Sequence, residues 1–263
     1  MQIILANIIA IYRKELQSYF ASPFAYAIAG VFWLIAGSFF MTILLQEINQ
    51  AALVDQQYGA TAPPFDVAYR VLQGFMSVMG SFSLFVLPML SMGLYAEERK
   101  RGTLELLATS PITNWAVAVG KLLGVLTFFT AMLLPIFVYE AIALGAADIP
   151  VSPPVPLLAN LGLILLAASV LSLGMFISSL TDSTVLASIF TFVAVLLLWI
   201  IDVFSQNVGG AIGGVLNYLS LLKHYNNLIQ GILDTSSLVF FASVIVLGVF
   251  LTAQSIDTFR FQR

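Results

Sequence analysis

The sequence predicts an all-α integral membrane protein with six transmembrane helices. Of its 263 residues, 60% are hydrophobic and 9% are charged, whereas soluble domains carry roughly 25% charged residues. Several apolar stretches reach the roughly 20 residues that a helix needs to cross a bilayer. We therefore expect residues 1–263 to form a single membrane domain.

Composition argues against several other functions. A net charge of −3 and a pI near 5.0 provide no basic surface for a phosphate backbone, so we expect no nucleic-acid partner. With no Cys and one histidine, His224, we expect no metal site. The Gly120-Lys121 pair does not form a nucleotide-binding loop, because Trp115 stands where the first glycine is needed. We therefore expect neither enzyme activity nor a bound cofactor in this chain.

The first 22 residues predict an amphipathic helix on the membrane surface. Polar residues, among them Arg13 and Lys14, gather on one side, and apolar residues recur on the other at helical spacing. Because these basic residues follow the apolar stretch at 3–11, we expect no cleaved signal peptide. The apolar positions are Leu5, Ile8, Ile9, Tyr12, Leu16 and Tyr19.

Residues 24–255 predict a bundle of six spans, with a kink at Pro88 in the second. Polar and proline-rich stretches predict external connections at 47–66 and 146–156, and residues 256–263 predict a charged tail. The spans are expected at 24–45, 69–95, 115–144, 157–180, 185–201 and 238–255.

The stretch before the sixth span, residues 215–232, is apolar but interrupted by polar side chains. Such a segment is too polar to cross the bilayer cleanly, because buried polar groups are costly there. We therefore expect short re-entrant helices that dip into the outer leaflet. The interrupting residues are Asn217, Lys223, His224, Asn226 and Asn227.

Basic residues predict the orientation of the bundle. Arg70 and Lys223 lie on one side, against eight basic residues on the other. The positive-inside rule then places both termini in the cytoplasm. The eight residues are Arg13, Lys14, Arg99, Lys100, Arg101, Lys121, Arg260 and Arg263.

A charged segment, residues 97–107, separates the second and third spans. Leu104, Leu107 and Ala108 share one helical face among charges of both signs, a composition that seats a short helix in the groove of a soluble partner. Thr103 is placed to cap such a helix. A solvated loop with basic anchors has the same composition, and both interpretations stay open.

Ionisable residues within the spans are further candidates, because buried charge is costly in a bilayer and often functional. Glu140 near the end of the third span either faces a cavity or a neighbour, or reaches the outer interface. We expect Lys121 to extend toward the inner boundary and Asp182 to cap a helix. Asp202 is expected to mark the end of the fifth span.

The second span carries large side chains near one face, with small residues between them. This pattern either lines a path for a lipid-like substrate or packs helices together and turns aromatic rings toward lipid. In the third span, Gly120 and Gly124 match the small-xxx-small packing pattern. The large residues of the second span are Phe75, Met79, Phe82, Phe85 and Met89.

The order of these elements resembles that of the permeases of type-2 ABC exporters. The likeness covers essentially the whole chain and is closest to the small permeases of gliding motility and of nitrous-oxide-reductase maturation. The matching stretches are Tyr12-Arg13-Lys14-Glu15-Leu16, Glu97-Glu98-Arg99-Lys100-Arg101-Gly102-Thr103-Leu104-Glu105-Leu106-Leu107 before Pro111, Leu219-Ser220, His224-Tyr225 and Gly231-Ile232-Leu233-Asp234.

This resemblance implies a half-transporter in the bacterial inner membrane. Two permease subunits, identical or different, would form a central path, each docked on a cytoplasmic ABC ATPase that binds ATP and Mg²⁺. ATP hydrolysis would drive export of a lipid-like, polysaccharide or peptide cargo. The surface helix with Arg13, Lys14 and Glu15 would be a connecting helix beside the ATPase, and residues 215–232 an outer gate.

The resemblance also implies roles for individual residues. A coupling helix and its approach would transmit motion from the ATPase, and aromatic residues of the second and fifth spans would line the path. The coupling residues would be Glu97, Glu98, Arg99, Lys100, Arg101, Thr103, Leu104, Glu105 and Leu107. The path residues would be Phe75, Met79, Phe82, Phe85, Phe190 and Phe192.

A second function is compatible with the same residues. The chain could be a membrane anchor that passes ATP-driven motion to an extracytoplasmic assembly without transporting a substrate. An ion-coupled secondary carrier would need buried charges near mid-membrane and an inverted repeat, and the sequence shows neither clearly.

Overall fold

The computed structural model describes residues 2–59, 66–103, 112–147, 151–205 and 210–261. These residues form ten α-helices and no strands, which confirms the predicted all-helical class. The helices are α1 (Gln2–Ala21), α2 (Pro23–Tyr58), α3 (Val67–Ser91), α4 (Gly93–Lys100), α5 (Asn114–Gly145), α6 (Pro154–Leu180), α7 (Thr184–Ser205), α8 (Gly210–Leu219), α9 (Leu221–Ile229) and α10 (Thr235–Phe261).

Six of these helical stretches are long and apolar enough to cross a membrane, as the sequence predicts. They are α2, α3 together with α4, α5, α6, α7 and α10. Each predicted span falls within one of them. The predicted tail is different, because α10 continues to Phe261 rather than ending near residue 255.

The first span is longer than its apolar run. Ser22 caps α2 by accepting a hydrogen bond from the N–H of Ala25, and Pro23 occupies the first turn, where a missing N–H costs little. The 36 residues then run to Tyr58, about 54 Å at 1.5 Å per residue. Much of the predicted loop at 47–66 is therefore helix. Between Leu45 and Gly59 the chain contains no glycine or proline, and Gly59, with a φ of 51°, ends the helix.

The second span breaks after Pro88, as predicted. Its ring has no N–H to continue the helical ladder, and a turn at Met92 separates α3 from α4. Ser178 of α6 bridges this break: its Oγ accepts hydrogen bonds from the N–H groups of Tyr95 (3.1 Å) and Ala96 (3.0 Å). The same hydroxyl donates to the carbonyl of Met92 over 2.8 Å. The direction in which α4 leaves the bundle is thus set by α6.

Helix α6 is the centre of the bundle and contacts α3, α4, α5, α7, α9 and α10. Small residues permit these close approaches. A Cβ at Gly174 would lie 2.1 Å from Ser91 Oγ, and a Cβ at Gly248 of α10 would lie 2.5 Å from Ser172 Oγ.

Helix α1 packs along α5 at the predicted small-xxx-small pair. A Cβ at Gly120 would lie 2.9 Å from Ile11 Cβ, and one at Gly124 would lie 2.7 Å from Glu15 Cβ. The two glycines therefore form the groove that receives α1. Ile11 and Glu15 are buried in it, whereas Arg13 is exposed on the opposite side. That α1 lies in the membrane interface stays a prediction.

Two short helices, α8 and α9, occupy the region predicted to re-enter the membrane. Ser220 caps α9 and also donates a short hydrogen bond to Asp202 at the end of α7. Asp202 therefore links α7 to α9, in addition to lying near the end of the fifth span. Tyr225 donates to the carbonyl of Met76 on α3 over 2.7 Å. His224 lies between the Tyr218 carbonyl and the Ser237 hydroxyl, which is a structural role. That these helices re-enter the membrane stays a prediction.

The turn between α6 and α7 is capped differently from the prediction. Ser183 Oγ accepts a hydrogen bond from the N–H of Leu186, whereas Asp182 is exposed. A hydroxyl suffices here because the cap needs only one acceptor aimed at the first turn.

Candidate functional site

The charged segment begins within α4 and continues into the turn that follows it. Glu97, Glu98, Arg99 and Lys100 form the end of α4, and Arg101 and Thr103 lie in the turn. The basic residues of the last turn complement the negative end of the helix dipole. The predicted contact residues Leu104, Glu105 and Leu107 lie outside the described residues.

Lys121 of α5 joins three elements of the bundle. Its ammonium donates hydrogen bonds to Glu15 Oε1 on α1 (2.9 Å) and to the carbonyl of Leu94 (2.7 Å), and it forms an ion pair with Glu98 Oε1 on α4 (2.9 Å). The side chain is only 2% exposed. Two carboxylates from other helices thus hold Lys121 inside the protein, and its position at the inner membrane boundary stays a prediction.

A second lysine balances the charge of this site. Lys14 lies 3.1 Å from Glu98 Oε1 and 3.8 Å from Glu15 Oε1. Lys14, Glu15, Glu98 and Lys121, hereafter the ion cluster, thus contain two ammonium groups and two carboxylates. Burial lowers the pKa of Lys14, but its charge interactions and hydrogen bonds with Glu98 and Glu15 outweigh that effect and raise the pKa. The Tyr95 ring lies 4.9 Å from the Lys121 ammonium and adds a cation–π contact.

The break between α3 and α4 is held by side chains from three helices. The carbonyls of Leu90, Met92 and Leu94 each accept a hydrogen bond there. The donors are Tyr19 of α1 (2.6 Å), Ser178 of α6 (2.8 Å) and Lys121 of α5 (2.7 Å), respectively. Burial raises the pKa of Tyr19, so this phenol stays a donor. The start of α4 is therefore fastened to α1, α5 and α6 together.

The far end of α4 has contacts of its own. Arg99 donates to the carbonyl of Ser179 at the end of α6 over 3.1 Å. Thr103 Oγ1 donates to the carbonyl of Glu98 over 3.2 Å, which folds the following turn back on the helix. Arg101 pairs with Glu97 at 2.8 Å, but both side chains are more than half exposed, so this ion pair adds little stability.

A cavity of about 390 Å³ lies beside the ion cluster. Glu98 contributes to its lining, and Glu98 Oε2 has no hydrogen-bond partner within the described part of the chain. The lining mixes acidic and basic groups, which suits a polar protein contact better than an apolar ligand. Its charged residues are Lys14, Glu15, Glu97, Glu98, Arg101 and Lys121.

The predicted path residues fall into two groups. Phe85 and Phe190 are more than half exposed, and Phe85 contacts Phe192 of α7 with ring centroids 5.2 Å apart. By contrast, Phe75 and Met79 are fully buried inside the subunit. Phe82 is intermediate and stacks on Phe32 at 5.6 Å. Phe85 and Phe190, the exposed residues among those predicted to line the path, thus lie on the surface formed by α3 and α7.

Glu140 is buried, with 1% of its surface exposed, so it does not reach the interface. Its Oε2 accepts a hydrogen bond from Asn160 Nδ2 of α6 over 3.0 Å. Its Oε1 makes no hydrogen bond to any described residue. Of the alternatives raised by the sequence, the structure supports pairing with a neighbour.

The ion cluster was missed in the sequence because its members are far apart along the chain. Lys121 lies 106 residues from Glu15, and each residue taken singly looks like an interfacial charge. One signal was available in the sequence: Lys121 lies between Gly120 and Gly124, the two residues of the small-xxx-small pattern.

Comparison with known proteins identifies the family. A family model described as ABC-2 family transporter protein matches residues 9–263, almost the whole chain. No curated protein matches the chain. Permeases of this family work as dimers with an ABC ATPase. The chain therefore belongs to the ABC-2 transporter family and is the multi-pass membrane permease component of an ABC transporter.

Proposed function

We propose that this permease couples ATP hydrolysis by a separate cytoplasmic subunit to export across the bacterial inner membrane. The observation that carries the proposal is the position of Lys121, which ties the helix at the start of the charged segment to α1 and α5. The partner ATPase would bind ATP and Mg²⁺, and this chain would supply the path and the mechanical link. Both termini and the charged segment would be cytoplasmic.

Force would pass from the ATPase to the spans through rigid contacts. A push on the charged segment moves α4, and the ion cluster couples α4 to α1 and α5. Arg99 and Ser178 couple the same helix to α6, which contacts the remaining spans other than α2. Packed helices with paired buried charges transmit such motion because they shift as units rather than deform continuously.

Docking on the ATPase would involve two neighbouring surfaces. Leu104 and Leu107 are proposed to enter a groove of the ATPase, with Glu105 beside them. Arg13 and Lys14 on the exposed side of α1 are proposed as a second contact, since Lys14 already lies 3.1 Å from Glu98. The cavity lined by Lys14, Glu98 and Thr103 would accept a polar side chain of the partner.

Docking is tested by co-purification with the ATPase. The double substitution L104D/L107D should abolish association while membrane insertion is retained, because two carboxylates cannot enter an apolar groove unpaired. The control is Q56D/Q57D, which adds the same two charges at exposed positions near the C-terminal end of α2. Equal recovery of the ATPase with both variants would contradict the docking proposal.

Orientation is tested with single cysteines, because the chain contains none. In intact cells, a membrane-impermeant maleimide should label Q57C and not T103C. Inverted vesicles should label T103C and not Q57C, and both positions should react once the membranes are disrupted. Labelling of T103C from outside would place the charged segment on the wrong side for an ATPase. Both positions are exposed in the structure.

A second candidate is a membrane anchor that drives an extracytoplasmic assembly. The observation in its favour is the far end of α2, which extends well beyond the roughly 30 Å of a hydrocarbon core and exposes Leu53 and Tyr58. The resemblance to gliding-motility permeases also favours a membrane anchor. The resemblance to nitrous-oxide-reductase maturation permeases favours export of a cargo. Removing residues 50–58 should abolish an anchor function, whereas an exporter should keep cargo-dependent ATPase activity.

A further inference from the structure

A second cavity, of about 570 Å³, lies at the end of the bundle away from the ion cluster. It is bounded by α2, the start of α3 and the end of α5. Nine of its ten lining residues are aliphatic, and Asp66 is the tenth. The residues used below are Leu44, Ile48, Val67, Val71, Ala143 and Ala147.

Charged groups lie near this cavity. Arg70, next to Val71, reaches across from α3 to α2, where it lies 3.7 Å from Glu47 Oε2 and 3.5 Å from Gln50 Oε1. Asp66 caps α3 by accepting a hydrogen bond from the N–H of Tyr69. An apolar interior bordered by charges matches the change from hydrocarbon to headgroup at a membrane surface.

The aliphatic lining determines what can fill the cavity. Water finds too few hydrogen-bond partners on such walls, and apolar cavities therefore stay dry. An empty cavity forfeits the dispersion contacts of its walls. In a bilayer, the apolar molecule at hand is a lipid chain.

We propose that this cavity binds one acyl chain of a bilayer phospholipid, with the headgroup beside Asp66 and Arg70. The site is separate from the proposed export path. Phe85 lies 14 residues beyond Val71 on α3, a distance of about 21 Å along the helix. No residue of α7 lines the cavity. The bound lipid would hold α2 against α3 and α5 and would not be exported.

The test uses the purified full chain in phosphatidylcholine nanodiscs that contain a phosphatidylethanolamine with a diazirine in one acyl chain. After irradiation, mass spectrometry should find adducts concentrated on the peptides containing Leu44 to Ile48 and Val67 to Val71. The substitution A143F should reduce these adducts several-fold, because the ring occupies the space of the chain. The matched control is A141F, two residues away on the exposed side of α5, which should leave the adducts unchanged.

A second variant, A147F, lies beyond the end of α5 and fills the cavity without altering the helix interior. It should reproduce the loss seen with A143F. The proposal is overturned by adducts spread evenly over the lipid-facing helices, or by equal adduct yields in A147F, A141F and the unaltered chain.

Discussion

Lys121 on α5 and Glu15 on α1 form a buried ion pair of 2.9 Å beside the two glycines that let these helices touch. The glycines bring the backbones close, and the ion pair fixes the register of one helix on the other. Because Glu98 shares the same ammonium, the pair also determines where the charged segment leaves the membrane domain. Packing and charge thus act on the same few residues.

Replacing Lys121 with Met should destabilise the protein by about 3–5 kcal/mol, the cost of removing one partner from a buried ion pair. Glu15 and Glu98 would then face each other across an apolar side chain. Thermal unfolding in nanodiscs measures the effect, with the exposed K100M as the control. In a double-mutant cycle, E15Q/K121M should be less destabilised than the sum of the single variants. Additive effects would show that the cluster does not act as a unit.

Replacing Ser178 with Ala should cost about 1–3 kcal/mol, because the N–H groups of Tyr95 and Ala96 lose their acceptor in a buried setting. The change should also lower ATPase stimulation by the permease, since the start of α4 loses its hydrogen bonds to α6. The control is S243A, an exposed serine that bonds only within its own helix. A stability equal to that of S243A would mean that α4 is held by its other contacts.

Gly80→Ala should be among the most damaging small substitutions in the bundle. The added methyl would lie 2.2 Å from Tyr225 Cε1, so the ring must move and its 2.7 Å hydrogen bond to Met76 is lost. Overpacking of this kind costs about 1–3 kcal/mol. Gly37→Ala on α2 meets no atom within 4 Å and should be neutral or stabilising. Comparable unfolding temperatures for the two variants would contradict the close packing of α9 on α3.

Cysteine labelling tests the proposed path on α3 and α7. In this cysteine-free chain, F85C and F190C should react with a water-soluble maleimide in the assembled transporter, and the rate should change when ATP binds. The control is L34C on α2, which is 74% exposed and should face lipid without reacting. Thiolates form only where water is present, so equal inertness of all three positions would place Phe85 and Phe190 in lipid or in a dry interface.

Hydropathy and local signals were sufficient for most of the architecture. Apolar runs of about 20 residues located all six spans, since lipid imposes both length and composition on a crossing helix. Pro88 marked the second span as interrupted, and the structure has a turn at Met92 shortly after it. The end of α2 was misplaced because hydropathy reports where a helix leaves the lipid, whereas the helix itself continues until Gly59.

The candidate site was foreseeable only in part. The charged segment stands out in the sequence, because acidic and basic residues are rare elsewhere in this chain. The partners of Glu98 could not be inferred, since Lys14 and Lys121 come from two other helices, and no local pattern encodes which helices meet. The same holds for Phe75 and Met79, which are fully buried, with Phe40 and Tyr139 packed on Phe75.

Each stretch of the chain has its own preference for water or lipid, set by its residues. The membrane-crossing helices, their breaks and the polar segment between them can therefore be located from the sequence alone. The pairing of buried charges and the covering of apolar faces depend on which helices become neighbours. That choice comes from complementary surfaces, here the Gly120 and Gly124 groove that receives α1, and it exists only after the helices have assembled.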